Sequence, residues 1–131
     1  YVKLSNNVDQ DSAIAKLTTK YTAIINGIGR IRGFGIAKLR EVVQKSGRTT
    51  GITTGRVIAT NGTFKVWYSD TKAYILRKCV VTNNMCQGGD SGSLLLNKSL
   101  MAVGLLFAGS DTITLYNSIG SIVKRYGLRT I

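Results

Sequence analysis

The sequence contains no histidine and no proline among its 131 residues. Without histidine, this chain alone offers no imidazole for a metal site or for the general base of Ser-His or Cys-His catalysis. The absence of proline is unusual, because an average chain of this length would contain roughly six. No run of about eighteen apolar residues occurs either, so the sequence predicts no transmembrane helix and no membrane partner.

Acidic residues are scarce as well. The chain has six of them and eighteen lysines and arginines, which gives a formal net charge of +12. Such an excess attracts nucleic acid, an anionic membrane or an acidic protein. The basic residues are spread along the chain without a block of five or six, so we interpret them as a solvated positive surface. Binding of nucleic acid is the less favoured hypothesis, and it predicts a steep loss of affinity with salt.

The two cysteines, Cys79 and Cys86, are too few for a disulfide scaffold, and their spacing does not fit a zinc motif. Two alternatives stay open: both are free thiols packed as small hydrophobic groups, or they close one short loop. The sequence predicts no metal site.

Short runs rich in β-branched and aromatic residues recur about every ten residues, with Gly, Asn, Ser or Asp between them. This pattern is typical of an all-β barrel or sandwich. Asn61-Gly62 predicts a two-residue hairpin turn. Ser118–Gly127 has helical periodicity, and Ala37–Val43 is a weaker helix candidate. The predicted strands are Thr22–Ile28, Ile52–Thr60, Thr63–Ser69, Ala73–Val81, Ser93–Leu96, Leu100–Ala108 and Thr112–Ile119.

The segment Gly88–Leu96 joins a permissive turn to an apolar strand. Glycines on both sides of Asp90 and Ser91 allow a sharp bend that presents backbone N–H groups on one side, as an oxyanion hole requires. A serine hydroxyl on such a turn is exposed for attack. From the residues alone, the segment could equally be a β-turn capped by the aspartate.

Gly89-Asp90-Ser91-Gly92 resembles the nucleophile motif of the chymotrypsin-like serine proteases, particularly their bacterial branch. The resemblance implies that Ser91 is the nucleophile and that the amides of Gly89 and Ser91 are the oxyanion donors. Further segments match the family in order and spacing, and together they cover at least Val42–Ile131. They are Lys45–Gly51 (first hairpin of the second barrel), Gly104–Gly109 (wall of the specificity pocket) and Thr114–Tyr116 (its far wall).

The N-terminal part is similar to the family over Asp11–Leu17, which resembles its Asp-Ile-Ala-Leu stretch. Asp11 would then be the triad aspartate, with Asp9 as the competing candidate and two solvated acids as the alternative. The general-base histidine would belong on a segment upstream of Tyr1. We therefore expect a cleaved fragment whose partner is its own N-terminal piece.

The resemblance implies an all-β, chymotrypsin-like antiparallel barrel with a C-terminal helix. Residues 1–38 would hold the remaining strands of the first barrel and a linker, and residues 39–131 the complete second barrel. Without the other strands of the first barrel, Ala13–Leu17 and Thr22–Ile31 should expose sheet edges and apolar faces.

The resemblance also assigns supporting roles. A carboxylate buried beside the oxyanion loop needs a partner, and Lys45 matches the basic residue that serves Asp90 in bacterial relatives. A neutral pocket suited to small or medium apolar side chains is predicted because Met85, Cys86 and Thr114 include no acid. The expected substrate-binding residues are Met85, Phe107, Ala108, Gly109 and Thr114.

The function that follows is a serine endopeptidase acting on peptides or proteins without a cofactor, inactive in this chain alone for lack of histidine. The alternative is a pseudoprotease, a binding module on the same fold. Secreted bacterial relatives close the hairpin with a disulfide at positions matching Gln44 and Thr54. The absence of both cysteines favours a cytoplasmic location over secretion.

Overall fold

The computed structural model describes residues 2–4 and 10–129 of the chain. It contains eleven strands and one helix within these residues. In chain order they are β1 (Val2–Leu4), β2 (Ala13–Ala15), β3 (Ile24–Ile25), β4 (Gly29–Arg30), β5 (Gly33–Phe34), β6 (Val42–Gly47), β7 (Gly51–Trp67), β8 (Ala73–Asn83), β9 (Leu94–Asn97), β10 (Met101–Gly109), β11 (Ile113–Ser118) and α1 (Ile119–Tyr126).

Six of the strands form a closed antiparallel barrel in the order β11, β8, β7, β6, β9, β10. The ring closes because β10 also pairs with β11. The short strand β5 joins the outside of β10 in parallel. Two small sheets lie N-terminal to the barrel, β1 with β2 and β3 with β4. The all-β architecture with a C-terminal helix agrees with the sequence prediction.

The barrel is filled by the apolar side chains that alternate inward along its strands. Each fully buried aliphatic side chain contributes about 1.5–3 kcal/mol relative to its exposed state. The members of this core are Ala37, Val43, Val57, Val80, Met85, Leu95, Val103, Leu106 and Tyr116.

The helix α1 follows the predicted pattern. Ile119 and Ile122 are buried in a second cluster with Leu96 and Ala102, which fastens the helix to β9 and β10. Gly127 ends the helix in a left-handed conformation, φ 63°, and its N–H bonds to the carbonyl of Val123. Within the described residues, no helix is long and apolar enough to cross a membrane.

Asn61-Gly62 is not a hairpin turn, and that prediction is wrong. Both residues lie inside β7, where the pairing with β8 shifts register by one residue between Ala59 and Gly62. The pair therefore accommodates a β-bulge, which favours the same permissive residues as a tight turn. The chain reverses further on, where the N–H of Tyr68 donates to the carbonyl of Lys72 at 2.9 Å.

The predicted helix over Ala37–Val43 does not form either. Arg40 adopts a φ of 69°, which no right-handed helix contains, and β6 begins at Val42. The strand predicted over Thr22–Ile28 is also shorter than expected, because only Ile24–Ile25 pairs before a turn leads into β4. The apolar faces expected to be exposed are so only in part: Leu17 and Ile24 are 58 and 54% exposed, as is the neighbouring Tyr21 at 72%, whereas Ala23 and Ile31 are buried.

Candidate active site

The turn between β8 and β9 carries Ser91 at the surface. Two glycines make this turn possible, because Gly89 has a φ of 99° and Gly92 a φ of 89°, values that other residues rarely adopt. A side chain at Gly89 would also clash with the side chains of Thr49 and Arg48. The turn is fastened to β10, where Gly92 N donates to the carbonyl of Leu106 at 2.8 Å.

The backbone amides of this turn divide into two groups. Asp90 N donates to the carbonyl of Gln87, and Ser93 N to that of Asp90, both at 3.1 Å. By contrast, no described residue accepts a hydrogen bond from the amides of Gly89 or Ser91. These two amides are the predicted oxyanion donors, and they are free to bind an external oxygen.

The Asp90 side chain is fully buried beneath the turn and accepts four hydrogen bonds. Oδ1 accepts from the amides of Thr49 and Thr50 at 2.9 and 3.1 Å, and Oδ2 from the amide of Gln87 and the hydroxyl of Thr50 at 2.9 and 2.7 Å. Burial opposes the charge, but these bonds outweigh it and hold the pKa of Asp90 well below its usual range. Asp90 therefore ties the β6–β7 hairpin to the Ser91 turn as a carboxylate.

Lys45 is the cation nearest to this carboxylate. Its side chain is completely buried, and its Nζ lies 3.7 Å from Asp90 Oδ2. The ammonium donates to the hydroxyl of Thr50, which in turn donates to Asp90, and to the carbonyl of Gly51 at 2.9 Å. The structure thus brings together the two residues that the sequence paired, and it adds Thr50 as a bridge between them.

Asp11 is held against the barrel by Asn117. The amide of Asp11 donates to Asn117 Oδ1 at 3.0 Å, and Asn117 Nδ2 returns a bond to the carbonyl of Asp11 at 2.6 Å. Asn117 is only 3% exposed, so this clamp is shielded from water. The competing candidate, Asp9, lies outside the described residues.

The Asp11 carboxylate accepts one hydrogen bond from a phenol group. Tyr68, at the end of the β7–β8 hairpin, donates its O–H to Asp11 Oδ2 at 2.5 Å. Burial and this bond to a carboxylate raise the pKa of Tyr68 well above its usual range. No described residue donates to Asp11 Oδ1, so one oxygen of the carboxylate is open to a further donor.

Asp11 and the nucleophile turn are anchored at neighbouring points of the barrel. Asn117, which clamps Asp11, pairs with Leu105 across β10 and β11. The next residue, Leu106, bonds to the Ser91 turn through both its carbonyl and its amide. Asp11 and the Ser91 turn, eighty positions apart in sequence, are therefore attached at neighbouring residues of β10.

The predicted substrate-binding residues occupy the adjoining strands. Gly109 pairs with Thr114, and a Cβ at Gly109 would lie 2.5 Å from Cys86 Sγ. Thr114 accepts from the amide of Met85 at 2.9 Å and is completely buried. Phe107 and Ala108 are half-buried on β10, with a register shift at Phe107.

Met85 is also withdrawn from solvent. It is 3% exposed and belongs to the barrel core, where the hydroxyl of Tyr116 contacts its sulfur at 3.5 Å. Cys86, not Met85, is the partly exposed side chain beside Gly109 and Thr114. The two residues shown beside the Cys86 sulfur, Thr114 and Gly109, carry no charge.

Both cysteines are free thiols. Cys79 is buried, and burial raises the pKa of its thiol to about 11. Among the residues that the structure describes, no three His, Cys, Asp or Glu side chains converge on a possible metal position.

Sequence reasoning missed three residues that build this site: Asn117, Tyr68 and Thr50. Each acts through a bond to a residue 40 to 106 positions away, which leaves no local pattern. Of the three, only Asn117 stands out in the sequence, because it is a polar residue directly after Leu115 and Tyr116 within a predicted strand.

The sequence and the fold resemble those of known serine proteases. Serine protease 2 of Streptomyces fradiae is 39% identical over 88 residues, which cover 66% of this chain and 48% of that protein. The chymotrypsin of Cellulomonas bogoriensis superposes with a TM-score of 0.78 at 27% identity, covering 97% of this chain and 72% of the other. Protease A of Thermobifida fusca superposes with a TM-score of 0.68 at 27% identity, covering 81% of this chain and 57% of the other. No profile of a known protein family matches.

The chain therefore has the chymotrypsin-like serine protease fold, as predicted. Its sequence and structure resemble the bacterial branch of that family. It spans about half the length of the curated relative that it matches.

Proposed function

We propose that this chain carries the nucleophile of a chymotrypsin-like serine endopeptidase. The observation that supports the proposal most directly is the turn at Ser91, where an exposed hydroxyl stands beside two amides that bond to no described residue. The relatives are serine proteases by name, which agrees with this chemistry at the level of the family.

In the proposed reaction, Ser91 Oγ attacks the carbonyl carbon of a peptide and loses its proton to a histidine imidazole. The amides of Gly89 and Ser91 bind the oxyanion that forms. The imidazolium returns the proton to the leaving amine, the C–N bond breaks, and an acyl ester remains on Ser91. Water then attacks the ester by the same route and frees the serine.

Asp11 is proposed as the carboxylate that orients this histidine, which a segment upstream of Tyr1 would supply. The open Oδ1 of Asp11 and its anchoring on β11 beside the nucleophile turn support this role. The exposed side chains of Leu17, Tyr21 and Ile24 support a companion segment that completes a first barrel over residues 1–38. Residues 39–131 then form the second barrel.

The proposed substrate has a small or medium apolar side chain before the scissile bond. The neutral surroundings of Cys86 support this preference, because a lysine or arginine would find no counter-charge beside Thr114 and Gly109. Phe107 and Ala108 are the proposed partners of the substrate backbone.

Hydrolysis of peptide p-nitroanilides by the full-length gene product tests the proposal. With alanine, valine or leucine before the scissile bond we expect turnover, which Ser91→Ala abolishes and Asp11→Asn lowers about 10⁴-fold in kcat, the loss typical of a triad aspartate. Ser99→Ala, at an exposed serine on another turn, is the matched control and should retain full activity. Turnover that survives Ser91→Ala, or a preference for arginine substrates, would contradict the assignment.

The second candidate is a pseudoprotease that binds peptides without cleaving them. The absence of histidine from the chain favours it, since without a general base a serine hydroxyl is a weak nucleophile. In that case the full-length gene product would bind the same peptides, and no substrate of the panel would be hydrolysed.

A further inference from the structure

A concave basic surface lies at the end of β6 that is remote from Ser91. Four cationic side chains, which we call the basic groove, line a cavity of about 420 Å³. They are Lys38, Arg40, Arg56 and Lys98. The remaining wall consists of Glu41, Val42, Asn97 and Ser99.

The basic groove is separate from the candidate active site. Strand β6 starts at Val42, in the wall of the groove, and ends at Gly47, where an added Cβ would meet Asp90. Five steps of about 3.3 Å separate these ends by roughly 17 Å. A ligand in the groove would therefore not occupy the nucleophile turn.

The charge of the basic groove is not neutralised from within. Its one carboxylate, Glu41, accepts a hydrogen bond from the backbone amide of Lys38 at 2.9 Å. Within the part of the chain that the structure describes, none of the four cations of the groove forms an ion pair with a carboxylate. Four cations on one concave surface without a paired carboxylate attract an anionic ligand.

The guanidinium of Arg56 and the backbone of Arg40 are bonded to each other and to the barrel before any ligand binds. Arg56 donates from Nη1 to the carbonyl of Arg40 at 3.0 Å, and the Arg40 amide donates to the carbonyl of Val57 at 2.8 Å. Arg40 has a φ of 69°, a conformation that side-chain-bearing residues rarely adopt outside functional sites and tight turns. The turn thus places Arg40 and Arg56 in the wall of the same groove.

An apolar cavity of about 310 Å³ adjoins the basic groove and shares both arginines with it. Leu39 and Ile58 line this second cavity and are 56 and 51% exposed, which is costly for aliphatic side chains in water. A ligand that spans both cavities would place anions on one side of the arginines and an apolar group on the other.

We propose that this surface binds an acidic peptide segment of a partner protein, with one large aliphatic side chain next to its carboxylates. The guanidinium groups of Arg40 and Arg56 suit carboxylates because each presents a planar fork of donors. Leu39 and Ile58 receive the aliphatic group. A peptide is favoured over nucleic acid because no aromatic side chain lines either cavity, so bases would find no stacking surface.

The test measures fluorescence anisotropy of three labelled probes titrated with this chain. They are a peptide of four glutamates around one leucine, the same peptide with serine in place of leucine, and a twelve-residue oligothymidine. We expect the leucine peptide to bind at least fivefold more tightly than the serine peptide, and more tightly than oligothymidine. Equal affinities of the two peptides, or no binding of either, would overturn the proposal.

Variants locate the binding. Lys38→Glu with Lys98→Glu changes two exposed residues of the groove and should weaken the leucine peptide at least tenfold. Lys124→Glu with Arg125→Glu makes the same charge change on α1 and should alter its affinity less than twofold. Leu39→Ser should make the affinities for the leucine and serine peptides equal, without weakening the binding of the serine peptide. Equal losses in both double variants, or tighter binding of oligothymidine than of peptide, would show diffuse polyanion binding and overturn the proposal.

Discussion

Replacing Lys45 by methionine tests how the nucleophile turn is supported. Methionine matches the length of the lysine stem, so the core position stays filled while the ammonium is lost. The change removes the charge 3.7 Å from Asp90 and the bonds to Thr50 and Gly51. Asp90 then keeps its four hydrogen bonds but has no cation beside it in the barrel.

The expected loss of stability follows from these contacts. Two unit charges at this separation attract by about 4 kcal/mol at an effective dielectric constant of about 20. Breaking a buried pair typically costs about 3–5 kcal/mol. Because the remaining hydrogen bonds still solvate Asp90, and because the ammonium no longer has to be desolvated, we expect the lower end, about 3 kcal/mol.

Urea unfolding followed by far-ultraviolet circular dichroism measures this loss. Lys98→Met, at an exposed turn, is the matched control and should change the free energy of unfolding by no more than about 0.5 kcal/mol. If Lys45→Met cost as little as the control, or left the full-length gene product fully active, the pair with Asp90 would not support the turn.

Three further predictions concern the same site. The pKa of Asp90 is lower in the folded chain than in the unfolded one, so Asp90 contributes stability above about pH 4 that is lost as the pH falls through its folded pKa. The urea midpoint of the unsubstituted chain should therefore drop on acidification, and that of Asp90→Asn should drop less. Equal drops of the two midpoints with pH would refute the linkage. Asp11→Asn should lower the pKa of Tyr68 towards its ordinary value, because burial remains but the bond to a carboxylate is lost. A pH titration of phenol absorbance at 295 nm measures this pKa, and Tyr68→Phe identifies which part of the signal belongs to Tyr68. An unchanged titration curve in Asp11→Asn would mean that the two side chains are not bonded. Gly89→Ala should destabilise the chain by about 1–3 kcal/mol, because it forces a residue with a side chain into a φ of 99° and its methyl group against Thr49. Gly88→Ala is the control, since an added Cβ there would meet nothing within 4 Å. Equal free energies of unfolding for the two variants would contradict the argument.

Much of the fold is written in local patterns. The helix is predicted over Ser118–Gly127 because its apolar spacing, its late basic residues and its terminal glycine all agree. Strands β8 to β11 likewise begin and end within two residues of their predicted limits. Local patterns fail where one residue type suits two structures, as at Asn61-Gly62, which fits a bulge as well as a turn.

The site was predictable only as far as its motif reached. The motif contains Ser91, its glycines and Asp90, and the resemblance added Lys45 and Asp11. Asn117 and Tyr68 were missed because their contacts depend on how β11 and the β7–β8 hairpin are placed around Asp11. Hydrogen bonds between residues so far apart in the chain leave no periodic pattern in the sequence, so they can be identified only from the folded structure.

Labelling with a fluorophosphonate tests the central claim, that Ser91 is an activated nucleophile. The full-length gene product would be treated with the reagent, digested and mapped by mass spectrometry. We predict one adduct on the peptide containing Ser91, none in Ser91→Ala, and much slower labelling in Asp11→Asn. A chain that stays unlabelled, or an adduct on another residue, would contradict the account.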